Sequence, residues 1–475
     1  MTPAVQALRA APRRTDLPSW TPSPGTVVAA LAVASVAAGG LFAVSPMYGV
    51  AGMAGVVFAA LLFLALTPAL GAWVVLAFAS GLPGLAGVPA ATTVLVAVAW
   101  LVTLPARREH VAALRARAPW ALVAPWLLFG WMVVTAIWAP DRSVARSELW
   151  LVLTAVATVP IITTVADTPR TVRLLLAAYV GGTAMVVVLA VVLGPDSYVA
   201  GDHSEGRLEV ANFSANLLGA ICATALVLVP VLWTRARTRA SRAAVLAVGA
   251  IVLYGLVGTQ SRSGLIALLV AGVAALVICR GRRRTVLRVV LACVVLLGAF
   301  VATNPGVVER ATADDSTGTG RTELWRAGLQ VAEDHPLTGV GIGNFVVVSE
   351  RYAQQVGTLR FAEVLLEDPK PVHNAIIESV AETGVVGLVL LLGAVGACMT
   401  AAARAARRFR RLGLPDLELV AQLVLVAQIA IVTAGMFLPV TYSRQLWMLL
   451  AIGPALLGIA LRMRAAAPGT TGAPS

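Results

Sequence analysis

Long apolar segments separated by short polar connections dominate the chain. About fourteen stretches are almost free of charge, and at 1.5 Å of rise per residue most are long enough to cross a hydrocarbon core of about 30 Å. The pattern therefore predicts an all-α polytopic membrane protein with about 12 to 14 transmembrane helices. The predicted spans are 26–45, 48–67, 69–83, 87–104, 120–139, 149–166, 173–194, 216–233, 243–259, 264–279, 288–303, 379–402, 418–438 and 445–461.

Composition and charge agree with this pattern. Of the 475 residues, 59% are hydrophobic and 12% are charged, against about 25% charged in a soluble domain. Arginines cluster in alternate connections, as in 280–288 and 404–411, and short cytoplasmic loops retain such residues. We therefore expect a plasma-membrane protein with both termini in the cytoplasm. The net charge of +13 then reflects topology and does not indicate nucleic-acid binding.

The same pattern divides the chain into five segments. They are a basic cytoplasmic tail (1–25), N-terminal transmembrane helices (26–303), a large extracytoplasmic loop (304–372), C-terminal transmembrane helices (373–462) and a disordered cytoplasmic tail (463–475). Arg13 and Arg14 precede the first span without a cleavage pattern, so this span is expected to be an anchor. The four cysteines lie in or beside spans and predict neither disulfides nor a metal cluster.

The large loop contains an amphipathic helix. The segment GRTELWRAGLQVAEDHP (320–336) places Leu324, Trp325, Leu329 and Val331 on an apolar side, and Pro336 ends the helix. A helix of this kind can lie in the membrane interface. Trp325 is then either an interface anchor or a platform for a sugar.

A glycine-rich turn, TGVGIGNF (338–345), follows this helix. Gly339, Gly341 and Gly343 permit backbone conformations that other residues avoid, so the turn either exposes amides to an anion or is a tight turn without a ligand. Asp334 and His335, just before it, are candidates for the same site or for capping and packing the helix.

The next span begins with a group of polar residues. His373 and Asn374 lie at its mouth, and Glu378 and Glu382 are four residues apart, which places both carboxyl groups on one face of a helix. A histidine there can accept a proton near neutral pH, or can be a cap or interfacial residue. Ionisable groups at the membrane edge usually face a polar cavity.

Arg262 lies between two apolar helices in GTQSRSGLIALL (258–269), where almost no loop separates them. An arginine so placed needs a partner. It either reaches the interface or pairs with a carboxylate such as Glu378 or Glu382, or it binds an anionic substrate such as a phosphate.

Taken together, these motifs resemble the O-antigen ligase and polymerase family. The resemblance rests on SRSG (261–264), GRTELWRAGLQVAEDHPLTGVGIGNF (320–345) and VHNAIIESVAETGVVGL (372–388), and EGRLEVANFSANLLG (205–219) resembles the arginine and Asn-rich turn before a helix in that family. The first 190 residues are similar only in being hydrophobic. The resemblance implies a metal-independent, cofactor-free glycosyltransferase of the GT-C class that moves a glycan from a polyprenyl diphosphate to an acceptor hydroxyl at the outer face.

The resemblance also implies roles for individual residues. His373 stands where the ligases carry a histidine and becomes the candidate base, with His203 and His335 as weaker alternatives. Cations that stabilise a departing diphosphate are expected in such a site, and the candidates are Arg207, Arg262 and Arg321. The supporting residues are Asn374, Glu378, Glu382, Asp334, His335, Gly341 and Gly343. The expected partners are the lipid-linked glycan donor, a glycan, lipid or protein acceptor and membrane lipids, and no nucleic acid.

Other functions fit parts of the pattern. A transporter of a small anion or solute would also have many helices, but it predicts internal repeats and discontinuous helices near the bilayer midplane, and the sequence shows no convincing repeat. A scaffold or flippase-like partner has no need for the histidine and arginines. A peptidoglycan polymerase of the shape, elongation and division type is similar in topology but lacks these motifs.

Overall fold

The chain forms a bundle of helices. A computed structural model describes residues 55–62, 65–78, 88–194, 206–210, 212–303, 321–356 and 370–465, and in these ranges no strand forms beyond one isolated bridge between Val210 and Phe213. The helices are α1 (Leu66–Leu76), α2 (Val88–Thr103), α3 (Arg108–Arg117), α4 (Pro119–Thr135), α5 (Arg142–Val156), α6 (Thr158–Val165), α7 (Pro169–Leu193), α8 (Ala215–Trp233), α9 (Arg239–Gly258), α10 (Arg262–Ile278), α11 (Arg283–Thr303), α12 (Arg321–Asp334), α13 (Phe345–Val356), α14 (Ala375–Arg411), α15 (Pro415–Gly435) and α16 (Arg444–Ala465).

The predicted all-α membrane architecture is confirmed. Within the described ranges, seven helices are long and apolar enough to cross a membrane, or nine if two bent pairs each form one span, and α1 and α2 are shorter apolar helices. One bent pair is the end of α3 with α4, at 86°, and the other is α10 with the helix after it, at 100°. Every predicted span from 69–83 onward overlaps a helix, whereas 26–45 lies outside the described residues and 48–67 is only partly described.

Small residues let the central helices approach closely. The long helix α14 packs against α4, α15 and α16, and its buried face is rich in alanine, as at Ala394, Ala401 and Ala405. A Cβ on Gly453 of α16 would lie 2.5 Å from the Cys398 carbonyl oxygen of α14. Membrane helices gain little from hydrophobic burial against one another, so such close backbone packing stabilises their association.

Several helices begin at side-chain caps. In each, a side-chain oxygen accepts a hydrogen bond from an amide of the first turn, which satisfies donors that have no partner within the helix. The capping residues are Asp141 for α5, Thr168 for α7, Ser214 for α8, Thr238 for α9, Ser261 for α10 and Asn374 for α14.

The predicted amphipathic helix of the large loop is confirmed as α12, but its buried side differs from the prediction. Leu324, Ala327 and Val331 are buried against α13 and the start of α14, whereas Leu329 is 48% exposed. The three buried residues are three, four and seven positions apart, so they share one face of α12. Leu329 lies outside that face and stays exposed. Helix α13 was not predicted from the sequence.

Helices α10 and α15 run in opposite directions and bring distant parts of the chain to one end of the bundle. The side-chain amide of Gln422, in the first half of α15, donates to the Ile278 carbonyl oxygen at the end of α10, at 3.3 Å. The start of α10 therefore lies level with the end of α15. There, a Cβ on Gly435 would lie 3.7 Å from the Ala375 Cβ, so the start of α14 belongs to the same end of the bundle.

Candidate functional site

The glycine turn of the large loop fills a break in α14. At Gly384 the backbone leaves helical geometry, with φ of +69°. Across the break, the Val385 amide donates to the Pro336 carbonyl oxygen at 2.8 Å, and the Val340 amide donates to the Ala381 carbonyl oxygen at 3.0 Å. The break thus leaves amides and carbonyl groups of α14 without partners in the helix, and the turn forms hydrogen bonds with them. Buried peptide groups need such partners.

Glycine is required where the turn and the break meet. A Cβ on Gly384 would collide with the Leu337 carbonyl group, and one on Gly339 would collide with the backbone of Glu382. The turn glycines Gly339, Gly341 and Gly343 also have positive φ values of +64°, +102° and +71°. Close backbone approach and left-handed φ together restrict these positions to glycine.

The connection between α4 and α5 clamps the turn from the other side. Asn344, which is buried, accepts from the Asp141 amide at 2.7 Å and donates to the Asp141 carbonyl oxygen at 3.2 Å. The Trp138 indole donates to the Gly339 carbonyl oxygen at 3.2 Å, and the Trp131 indole donates to that of Thr383 at 2.8 Å. The large loop is therefore fastened to two separate parts of the bundle.

Glu382 is the polar centre of this junction. Its side chain is 3% exposed, and its Oε2 atom accepts from the Gly343 amide at 2.9 Å and from the Tyr442 hydroxyl group. The sequence left two interpretations of the glycine turn, an anion site or a tight turn without a ligand. The structure shows the Gly343 amide directed at a carboxyl group of the protein itself. This contact lies beside the N-terminus of α13, which favours negative charge.

Tyr442 was not identified from the sequence. It lies in a single 3₁₀ turn (Val440–Tyr442) between α15 and α16. Burial raises the pKa of Tyr442 well above its usual value, and the nearby carboxyl groups of Glu382, Glu378 and Glu148 raise it further. Its hydroxyl group therefore stays protonated and acts as a donor.

We predict that Tyr442→Phe lowers the free energy of unfolding by about 1 to 2 kcal/mol, because a buried acceptor loses a donor. Thermal unfolding of the purified protein measures this. Tyr254→Phe is the matched control, since Tyr254 is 52% exposed on α9 and should change stability by less than about 0.5 kcal/mol. Equal stability of the two variants would show that the Tyr442 hydroxyl does not hold Glu382.

Two further carboxyl groups lie close to Glu382. Glu378 is 3% exposed, and its Oε2 atom has no hydrogen-bond partner among the described residues. On α5, the side chain of Glu148 packs so closely that a Cβ on Gly343 would lie 2.5 Å from its Cγ. In the described part of the chain, no three His, Cys, Asp or Glu side chains are grouped as metal ligands. Glu378 and Glu382 are buried and Glu148 is half-buried, and together they form one acidic patch.

His373 and Asn374 form the turn that starts α14. Asn374 is the N-cap, and its Oδ1 atom accepts from the Ile376 and Ile377 amides at 3.0 and 3.2 Å. His373 has a φ of +54°, a left-handed conformation that is rare outside glycine. The turn rests on α12, where a Cβ on Gly328 would lie 2.7 Å from Ile377. The cap role that was one alternative for His373 is filled by Asn374, and the imidazole is half-buried beside it.

Asp334 and His335 lie at the far end of α12 and are exposed. The Tyr352 hydroxyl of α13 donates to the Asp334 Oδ2 atom at 2.9 Å, which ties the two loop helices together. The indole ring of Trp325 packs against Phe437, with ring centroids 6.5 Å apart. These contacts favour the packing interpretation of Asp334 and place Trp325 beside the connection between α15 and α16.

A second polar cluster surrounds the turn between α9 and α10. The Arg207 guanidinium group donates to the Thr259 carbonyl oxygen and to Asn216 Oδ1, both at 2.9 Å. The Ser261 hydroxyl contacts the same Asn216 oxygen at 3.2 Å. The structure therefore brings Arg207 to the turn that carries Arg262, although 54 residues separate them in the chain.

Arg262 itself is exposed in the first turn of α10. Two residues before it, Gln260 has a φ of +50°, and with His373 it is one of two non-glycine residues with positive φ in the described ranges. The start of α10 and the start of α14 lie at the same end of the bundle, as shown above. The side chain of Arg321 and all of His203 lie outside the described residues.

Several residues of the site were missed because their partners are far away in the chain. The sequence offered one signal for them, a polar side chain close to an apolar segment. The residues with this signal are Glu148, Asn344 and Tyr442. This signal does not reveal that all three meet near the same turn.

Comparison with known proteins shows a similarity over part of the chain. Residues 247–392 match the protein family described as O-antigen ligase, a range that holds Arg262, the glycine turn and His373 but not Arg207. The chain is also 39% identical over 83 residues to the exopolysaccharide production protein ExoQ of Rhizobium meliloti (strain 1021), over 17% of this chain and 18% of that protein. The protein is therefore a polytopic membrane protein whose residues 247–392 are similar to the O-antigen ligase family.

Proposed function

We propose that the protein is a glycosyltransferase that moves a glycan from a polyprenyl diphosphate to an acceptor hydroxyl group at the outer face of the plasma membrane. The family match supports a ligase or polymerase of polysaccharides. Arginine-rich connections mark the cytoplasmic side of a membrane protein. The connections that carry the candidate site alternate along the chain with these basic connections, which supports a site at the outer face.

One observation carries the proposal. The His373 turn and the Arg207–Arg262 cluster lie at the same end of the bundle, and each contains a non-glycine residue in a left-handed conformation. Such backbone costs about 1 to 3 kcal/mol and persists where the surrounding structure holds it, which is frequent at functional sites. These observations support a site in which an imidazole and guanidinium groups act together at one end of the bundle.

In the proposed reaction, the acceptor oxygen attacks the anomeric carbon of the lipid-linked sugar. The bond between that carbon and the phosphate oxygen breaks, and the polyprenyl diphosphate leaves with the bonding electrons. His373 accepts the proton of the acceptor hydroxyl. Arg207 and Arg262 stabilise the charge that develops on the diphosphate, with Arg321 as a third candidate.

The roles of the supporting residues follow from their contacts. Asn374 fixes the turn that carries His373. Gly341 and Gly343 allow the loop to dock on Glu382, so the loop forms a fixed wall beside the site. Glu378 lies one helical turn beyond Asn374, where its buried carboxyl group can hold a proton near the reacting groups.

We predict that Arg262→Ala lowers the rate of transfer by about 100-fold, the loss typical when one group that stabilises transition-state charge is removed. The assay follows transfer from a polyprenyl-diphosphate-linked glycan by mass spectrometry, with the purified protein in lipid nanodiscs. Arg237→Ala is the control, because Arg237 is exposed in the connection between α8 and α9. Equal rates for the two variants would contradict a role for Arg262 in binding the diphosphate.

Cells with and without the gene then distinguish the two classes of product. Loss of long surface glycans points to a polymerase, and accumulation of a lipid-linked polymer points to a ligase. Unchanged surface and lipid-linked glycans in the deletion strain would contradict both.

Transport of a small anion or solute is a second candidate, supported by two observations. Helix α14 is interrupted at Gly384, and Glu378 is a buried acid within it, and transporters use both features. Glycan transfer by the protein in detergent micelles separates the candidates, since transport needs two compartments and transfer does not.

A further inference from the structure

A groove lies between α4 and α14, at the end of α14 that is distant from His373. Its volume is about 290 Å³, close to the lower limit of about 300 Å³ for ligand pockets. Gly393 and Arg404 are 8 and 19 residues beyond Val385, where α14 resumes after its break, which corresponds to about 12 and about 28 Å along the helix. The groove is therefore separate from the candidate site.

The floor of the groove is open and apolar. Gly393, Ala397 and Ala401 line it at intervals of four residues, so they share one face of α14. A Cβ on Gly393 would meet nothing within 4 Å. Open apolar space along one face of a membrane helix suits an acyl chain.

Two arginines from different helices line the same groove. Arg117 ends α3 and Arg404 belongs to α14, and the Arg404 Nη1 atom donates to the Arg117 carbonyl oxygen at 3.5 Å. Both side chains are exposed. Guanidinium groups bind phosphate well, because their planar donors match its oxygens.

The bend between α3 and α4 places these cations at the membrane boundary. The two helices meet at 86°, so α3 runs parallel to the membrane surface if α4 crosses it. Trp120, at the start of α4, is 65% exposed and lines the groove, and tryptophan is enriched at the level of lipid headgroups. Arg117, at the bend, is then level with lipid phosphates.

We infer that this groove binds one anionic phospholipid, with its phosphate between Arg117 and Arg404 and an acyl chain over Gly393. Basic pockets between membrane helices on the cytoplasmic side hold lipid headgroups in this way. The inference does not depend on the proposed glycan transfer, since it concerns the opposite end of α14.

Binding of phosphatidylglycerol tests the inference, with phosphatidylcholine as the zwitterionic comparison. Native mass spectrometry of the full chain, titrated with each lipid in detergent, measures bound lipid directly. We expect tighter binding of phosphatidylglycerol. Each cation contributes roughly a factor of 5 near anionic lipid, so Arg117→Gln with Arg404→Gln should weaken binding by about 30-fold. Arg411→Gln is the charge control, because Arg411 lies on the same helix outside the groove and is exposed.

A second pair of variants tests the acyl-chain part of the groove. Gly393→Leu fills it and should abolish binding, whereas Gly396→Leu adds the same side chain at a position that is equally open but does not line the groove. Thermal unfolding confirms that both variants are folded. Equal binding of the two lipids, or unchanged phosphatidylglycerol binding in both the double arginine variant and Gly393→Leu, would overturn the inference. Full displacement of phosphatidylglycerol by millimolar inorganic phosphate would overturn it as well, since the site would then bind free phosphate.

Discussion

Replacing His373 with alanine is expected to lower the rate of glycan transfer by at least about 100-fold, because positioned proton transfer contributes on the order of 10²- to 10⁴-fold. The protein should stay folded, since Asn374 and not His373 caps α14. The rate is measured with the lipid-linked donor in nanodiscs, and circular dichroism and thermal unfolding measure the fold. A transfer rate close to that of the unmodified protein would exclude His373 as the base.

His335→Ala separates the two described candidate bases in the same assay. His335 is exposed at the end of α12, away from the turn that starts α14, and we expect its loss to change the rate little. If this variant loses activity while His373→Ala retains it, the assignment of the base is reversed.

Gly384→Ala is expected to destabilise the protein by more than about 2 kcal/mol. A left-handed φ costs a non-glycine residue roughly 1 to 2 kcal/mol, and the Cβ would also displace the Leu337 carbonyl group and the hydrogen bonds across the break. Thermal unfolding measures the stability. Hydrogen exchange of the Val340 and Gly341 amides should rise, because they donate to the Ala381 and Glu382 carbonyl oxygens at the break.

Gly393→Ala is the matched control on the same helix. Gly393 has helical geometry and open space around its Cβ position, so alanine there should be neutral or stabilising by about 0.5 to 1 kcal/mol. If the two variants have the same stability, the junction between the loop and α14 does not depend on the conformation of Gly384.

Helical segments were predicted well because their signals are local. The predicted helix 320–336 corresponds to α12, and the predicted span 216–233 corresponds to α8 within one residue. Helix α14 extends to Arg411, beyond the predicted end at 402, since arginine is a good helix former and does not end a helix in water. The break at Gly384 was not predicted, because one glycine in an apolar run is compatible with an unbroken helix.

The composition of the site was predicted only in part. Glu382 was a candidate from its spacing to Glu378, but its partner Tyr442 is 60 residues away. The pairing of Asn344 with Asp141 joins positions 203 residues apart. Which distant residues meet depends on how helices pack side by side, and neither periodicity nor spacing along one segment contains that information.

The sequence alone determined that this chain is a helical membrane protein with polar groups concentrated in a few connections, because hydrophobic length and charge act locally on each segment. It also located motifs that resemble those of the O-antigen ligase family, most of them within the matched residues 247–392. Only the tertiary structure decided that the glycine turn docks into a break in α14 around Glu382, and that the turns of Arg262 and His373 share one end of the bundle. The physical reason is that buried peptide and carboxyl groups must find donors and acceptors wherever the fold supplies them, and here the fold supplies them from helices far apart in the chain.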